Sequence, residues 1–333
     1  MSTYEPLLDH YDRLHRNLRI SVTDRCNIRC FYCMPDESII FKPKAEILTY
    51  EEIERFVRVL ATAGVNKLRL TGGEPLVRAD LPDLVSRLAA IPGIDDLALT
   101  TNGILLADQA ELLKKAGLQR INISLDTLSA ETFQRITRRS GLDRVLAGIA
   151  AAQEAGFEKV RLNAIAIRGL TENEIVPLGH FARQHNLELR FIEFMPLDAE
   201  DQWQRDQVLS GTAIREQLEA TFGTLEPVER LDSSQPAVDY KFADGGGRIG
   251  FINPVSQPFC SDCNRLRLTA DGQVRNCLFS TTEWDARELL RDGSSDQQIL
   301  DLVRDCVAHK KPGHGIDTDQ FEKPARAMYQ IGG

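Results

Sequence analysis

Short apolar runs recur along this chain, separated by amphipathic stretches and turn residues. Residues 18–22 alternate as Leu18, Arg19, Ile20, Ser21, Val22, the period-2 signature of a strand with two unlike faces. Similar runs at 67–70, 97–101, 120–124, 159–167 and 187–194 predict five more strands. Between them the apolar spacing lengthens to a helical period at 50–63, 81–90, 108–116, in the stretch up to 153, and at 172–185. Gly64, Gly117 and Gly156 act as stops, and Thr49 followed by Glu51 and Glu52 reads as a helix start. Strands alternating with helices pair in parallel through crossovers. Six such units predict an α/β fold, an incomplete TIM-like (β/α)6 barrel, whose working loops gather at the C-terminal ends of its strands.

After Pro196 the alternation breaks. A polar loop over 198–212, a helix over 213–222 and the turn signal Asp244-Gly245-Gly246-Gly247 follow, then helices near 281–292 and 296–310. This predicts a core over residues 1–230 and a C-terminal domain over 231–333 that closes the barrel mouth. Residues 1–16 read as a lead-in, and 34–48, with Pro35 and Pro43, as a cover over the loop before them.

Composition narrows the function. A net charge of −9 argues against a nucleic-acid surface, though a basic pocket can sit inside an acidic protein. No run approaches 18 apolar residues and the first ten lack the apolar core of a signal peptide, so the expectation is a cytoplasmic protein without a membrane span. Seven cysteines in such a chain point to metal binding or catalysis rather than disulfides.

Three of them, Cys26, Cys30 and Cys33, stand at C-x3-C-x2-C just after the first strand. Three thiolates leave one iron of a four-iron cluster without a protein ligand; a zinc site is the competing reading. Cys260, Cys263 and Cys277 form a second set at C-x2-C-x13-C, with zinc again the alternative. Thr71-Gly72-Gly73-Glu74-Pro75 follows the second strand, and paired glycines let backbone approach a ligand closely. Arg19, Arg69, Arg161, Arg265 and Arg267 flank the two sets. Guanidinium suits bidentate phosphate binding, so the five together suggest a polyanion site.

The C-x3-C-x2-C loop resembles the signature of the radical S-adenosylmethionine (SAM) enzymes. With LTTNG, INISLDTL, FIEFMPL, FCSDCNRLRLTADG and the terminal Gly332-Gly333, nearly the whole chain resembles one branch of them, the GTP 3′,8-cyclases of molybdenum-cofactor biosynthesis. The resemblance implies two 4Fe-4S clusters, SAM as cofactor and GTP as substrate. It implies that Cys26, Cys30 and Cys33 hold the SAM cluster, and Cys260, Cys263 and Cys277 the substrate cluster. Tyr32, Gly73, Ser124 and Met195 would contact SAM. Arg19, Arg69, Thr100, Arg161, Arg265, Leu266 and Arg267 would contact GTP, the family usually having Lys where this chain has Arg161. Gly332, Gly333 and Arg267 would serve catalysis. It further implies a flavodoxin- or ferredoxin-like reducing partner, delivery of the product to cyclic pyranopterin monophosphate synthase, and a monomer or homodimer.

Overall fold

The computed structural model describes residues 5–34, 39, 41–198, 200–319 and 321–332. Six strands run in chain order: β1 (Asn17–Ser21), β2 (Lys67–Thr71), β3 (Asp96–Thr101), β4 (Arg120–Ser124), β5 (Val160–Ala166) and β6 (Glu188–Glu193). Each pairs in parallel with the next. The helices between them are α1 (Tyr50–Thr62), α2 (Leu81–Ala89), α3 (Ala110–Lys115), α4 (Ala130–Thr137), α5 (Leu142–Glu154) and α6 (Ile175–Gln184).

The alternation read from the sequence decides which side chains face the helices. Leu18, Ile20, Leu68, Leu70, Leu97, Leu99, Ile121 and Ile123 are buried in one apolar core with Ile53, Phe56, Val57 and Leu60 of α1. The other set, Arg19, Arg69, Thr100, Asn122 and Arg161, alternates with them and lines the opposite face. The start of α1 is a capping box: the Glu52 N–H donates to the Thr49 hydroxyl at 3.2 Å, and the Thr49 N–H to the Glu52 carboxylate at 2.7 Å. Gly64, at φ +95°, ends that helix turn.

The remaining chain adds to both edges of the same sheet. Helix α7 (Gly211–Phe222) precedes β7 (Leu225–Pro227), β8 (Val238–Phe242) and β9 (Arg248–Ile252); β9 pairs in parallel with β6, and the glycine run at 244–247 forms the β8–β9 turn. At the other edge β10 (Arg265–Leu268) pairs in parallel with β1, followed by β11 (Gln273–Arg275), β12 (Trp284–Asp285), α8 (Ala286–Arg291), α9 (Asp296–Ala308) and α10 (Met328–Ile331). The result is an open sheet of 12 strands. The segment bearing the second cysteine set therefore extends the sheet beside β1 instead of covering the strand C-termini. The sequence pattern missed this because β10 is only four residues long and its partner lies 248 positions earlier.

The lead-in is also more than a lead-in. Asp9 and Arg13 form a buried pair at 2.7 Å, and Arg13 donates to the carbonyls of Cys260 (2.8 Å), Lys311 (2.9 Å) and Pro312 (3.3 Å). The N-terminal segment thus clasps the second cysteine loop. Breaking a buried pair from one side strands a charge, at a cost of about 3–5 kcal/mol. Asp9→Ala is expected to lower unfolding stability by that amount, read from the urea midpoint.

Candidate functional site

Cys26, Cys30 and Cys33 lie on the loop at the C-terminal edge of the sheet. That loop is held by α4, whose Thr137 and Ile136 carbonyls accept from the N–H groups of Arg29 (2.8 Å) and Phe31 (3.2 Å). Arg29 turns back onto the Cys26 and Ile28 carbonyls at 2.7 and 2.9 Å. Burial pushes the Cys30 thiol far up, and the charges of Cys33 and Cys26 push it further. Burial likewise raises Cys26, to about 11, with Glu74 adding to it. Three half-buried thiols within one eight-residue loop, with the Arg29 charge favouring a thiolate at Cys26, suit a cationic metal cluster.

The Thr71-Gly72-Gly73-Glu74 turn lies against residues 23–25. The Gly73 N–H donates to the Thr23 carbonyl at 2.8 Å, and the Glu74 N–H to the Arg25 carbonyl at 2.7 Å. A Cβ on Gly73 would overlap the Arg25 carbonyl. The glycine thus serves chain against chain first, and with its N–H committed, its carbonyl is the group left to meet a ligand. Glu74 is buried beneath and accepts from the Thr101 hydroxyl (2.7 Å), the Asn102 N–H (2.7 Å) and the Leu76 N–H (3.0 Å). Burial outweighs these bonds and raises its carboxyl to about 7. Gly73→Ala forces the two loops apart, an overpacking of about 1–3 kcal/mol. SAM cleavage, followed as 5′-deoxyadenosine released, is expected to fall roughly ten- to hundredfold.

Tyr32 donates from its phenol to Asp126 at 2.6 Å, and Asp126 also accepts the Ile165 N–H at 2.8 Å. Ser124 ends β4 on the polar face, and Met195 follows β6, both half-buried. All four residues expected to contact SAM thus sit at the strand C-termini.

The second set lies at the opposite edge. Arg265 pairs with Asn17, the first residue of β1, so Cys260 and Cys263 precede the N-terminal edge; Cys277 follows the antiparallel β11 and returns level with Arg265. All three cysteines line one cavity of about 340 Å³. Burial works to raise Cys263, but the charges of Arg265 and Lys310 prevail and hold it near 5. The guanidinium of Arg265 reaches its sulfur at 3.3 Å through both Nε and Nη2.

Between the two edges stands a set of arginines. Among the described residues Arg19 and Arg69 have no carboxylate partner, whereas Arg161 pairs with Glu188, and Arg190 with Asp239 at 3.4 Å. Burial, then repulsion from Arg267 and Arg265, drives the Arg19 guanidinium well down; burial, then Arg19, Arg120, Arg190 and Arg161, does the same to Arg69. A guanidinium keeps its proton, so such a group is a receptor for an anion that offsets the repulsion. Thr100 on β3 receives the Asn122 amide at 3.5 Å. Leu266 is a correction: its side chain is fully buried in the apolar core, opposite Leu18, so only its backbone can face the chamber.

The tail reaches this interior. The Arg267 guanidinium donates to the Gly332 carbonyl at 2.5 Å, and Gly332 lies buried against Thr71 and Ser21 at the ends of β2 and β1. Arg326 anchors the tail through both guanidinium ends on Asp271, at 2.9 Å each. Gly333 lies outside the described residues, as does part of the expected cover, at 35–38 and 40.

The chain is 52% identical over 330 residues to a GTP 3′,8-cyclase of Rhodopirellula baltica, covering 98% of this chain and 92% of that protein. It is 46% identical to one of Mycobacterium sp. (strain KMS), covering 100% and 95%, and 44% to one of Pelotomaculum thermopropionicum, covering 98% and 99%. The chain belongs to the GTP 3′,8-cyclase family. Two family models divide it: Radical SAM superfamily over residues 20–182, and Molybdenum Cofactor Synthesis C over 187–316. In this cyclase family member the first triad falls in one and the second in the other. Streptococcus suis SuiB bound to S-adenosylmethionine shares the fold, with a TM-score of 0.62 at 17% identity, over 86% of this chain and 67% of its own.

Residues overlooked in the sequence include Arg190, which shares the alternation of β6 and was open to the same argument as Arg161. Glu74 stood inside a motif read only for its glycines. Arg13 and Lys310 gave no signal, because nothing local joins them to cysteines so far off in the chain.

Proposed function

We propose that the protein converts GTP to 3′,8-cyclo-7,8-dihydro-GTP, the first step of molybdenum-cofactor biosynthesis, using SAM and two 4Fe-4S clusters. One observation carries the reading: two cysteine triads at opposite edges of one sheet, with Arg19 and Arg69 between them lacking a carboxylate partner among the described residues. A five-residue strand is about 16 Å long, the span across which a nucleotide triphosphate would lie.

Arg69 on β2 feels the charges of Arg161 and Arg190 on β5 and β6. Four strand spacings on a flat sheet are about 19 Å. This supports a sheet curled into a partial barrel with the arginines on its concave side.

When bound, a four-iron cluster with one iron free of protein ligands supplies the electron that splits SAM into methionine and a 5′-deoxyadenosyl radical. On GTP that chemistry would remove the ribose 3′ hydrogen and join C3′ to C8 of guanine, with one further electron from the external donor and one proton completing the product. Cys26, Cys30 and Cys33 hold the first cluster, with the Gly73 carbonyl, Ser124, Met195 and the Asp126-oriented Tyr32 fixing SAM. Cys260, Cys263 and Cys277 hold the second. Arg19, Arg69, Arg161 and Arg190 receive the phosphates, with Thr100, Arg265, Arg267 and the Leu266 backbone completing the guanine and ribose side. Gly332 closes the chamber beside Arg267. Placement of the 3′ hydrogen and C8 is the protein's contribution.

A flavodoxin- or ferredoxin-like donor would feed the clusters, and cyclic pyranopterin monophosphate synthase would take the product. Anaerobic incubation of reconstituted protein with SAM, GTP and dithionite tests the reading: the cyclised nucleotide is expected together with 5′-deoxyadenosine. Formation of 5′-deoxyadenosine with GTP recovered unchanged would refute it.

A further inference from the structure

Lys310 stands apart from the groups already assigned. It is a buried lysine just past the end of α9, 33 residues after Cys277 in sequence yet in contact with the second triad. Its ammonium donates to the Asn276 carbonyl at 2.6 Å, to the Arg265 carbonyl at 3.0 Å and toward the Cys263 sulfur at 3.8 Å. Three acceptors use all three N–H bonds of an ammonium, where a neutral amine has two. Asn276 immediately precedes Cys277, and Arg265 follows Cys263 by two residues. One side chain therefore ties together the two segments that carry the ligands.

Its surroundings differ sharply from those of the first triad. There the carboxyls of Glu74 and Asp126 work against a thiolate, and Arg29 favours one at Cys26. Around the second triad stand Lys310, Arg265 and Arg13. Arg265 lies on the chamber side of β10, where substrate is proposed to bind. Lys310 lines the cavity with the three cysteines, and its bonds among the described residues go to backbone carbonyls and sulfur.

We propose that Lys310 is a positioning residue of the second cluster: it holds Cys277 in register with Cys263, and its fixed charge stabilises the reduced state of the cluster beside it. The inference rests on the proposed second cluster. A cluster gains negative charge on reduction, and a fixed cation a few ångströms from one ligand favours that state more strongly in a buried site than in water.

The test uses the full chain with Cys26, Cys30 and Cys33 replaced by Ala, so that one cluster remains to be read. Iron analysis of this protein with native Lys310 comes first: about four irons per chain supports the cluster reading, and none removes that reading and the inference with it. Redox titration followed by electron paramagnetic resonance then compares Lys310→Met and Lys310→Arg. We expect Lys310→Met to keep its iron and to shift the reduction equilibrium at least tenfold against the reduced state, 59 mV more negative for one electron. Lys310→Arg is expected to recover most of that shift. An unchanged midpoint in Lys310→Met, or a midpoint in Lys310→Arg as low as in Lys310→Met, overturns the proposal. Should Lys310→Met take up no iron, Lys310→Gln is titrated by the same criterion. Loss of iron in both neutral variants with retention in Lys310→Arg supports the charge requirement. Loss in all three marks a packing role and overturns it.

Discussion

Cys277→Ala is expected to abolish cyclisation of GTP while leaving reductive cleavage of SAM in place. The physical reason is separation. Cys277 sits level with Arg265 at the N-terminal edge of the sheet, whereas Cys26, Cys30 and Cys33 sit beyond the C-terminal edge, about 16 Å away along β1. Removing one thiolate at one edge leaves the α4 contacts of the other loop untouched. It takes away the anchor that would hold guanine against the radical. An anchoring contact of about 4 kcal/mol corresponds to a loss of roughly 10³ in rate. The measurement is chromatography of both products from one anaerobic reaction: 5′-deoxyadenosine present, cyclised nucleotide absent. Equal loss of both would mean that the two sites do not work independently.

Gly332→Ala is the second large effect. Gly332 has φ +84°, a conformation that strains any residue with a side chain. An added Cβ would meet the Thr71 hydroxyl at 2.7 Å and the Ser21 Cβ at 2.9 Å. Backbone strain of about 1–3 kcal/mol and overpacking of a similar size act together. A tail tip has an escape that a core residue lacks, so the expected response is that it leaves the chamber instead of distorting it. Arg267 then loses its carbonyl partner. Its guanidinium, already brought down to about 9 by burial and by Arg265, is left without a fixed position. Thermal stability should be unchanged, while cyclisation falls at least a hundredfold and SAM cleavage continues. Ala-variant protein that cyclises GTP at the native rate would show that the tail contact is incidental.

The parallel core was legible in the sequence because its signal is local. Leu18, Ile20, Leu68 and Leu70 alternate with Arg19 and Arg69, and that alternation alone assigns one side to the core and the other to the chamber. The cysteine loop was legible for the same reason, since its three thiols fall within eight residues. What escaped depended on pairing between distant segments. Nothing near Arg265 reports that its strand joins β1, so the second triad was expected over the barrel mouth when it lies at the other edge. Leu266 was carried into the site with its neighbours, although alternation turns its side chain to the core. Arg13 and Lys310 hold carbonyls of the cysteine segments, and contacts made to backbone leave no mark on the sequence of the partner.

Two incomplete cysteine cages facing one arginine-lined chamber from opposite ends would be visible in an iron-edge anomalous difference map from anaerobic crystals grown with SAM and GTP. Two iron peaks are expected, at Cys26/Cys30/Cys33 and at Cys260/Cys263/Cys277, at least about 15 Å apart, with the nucleotide between them. A single peak, a fourth protein side chain bonded to either cluster, or nucleotide bound outside the chamber would contradict it.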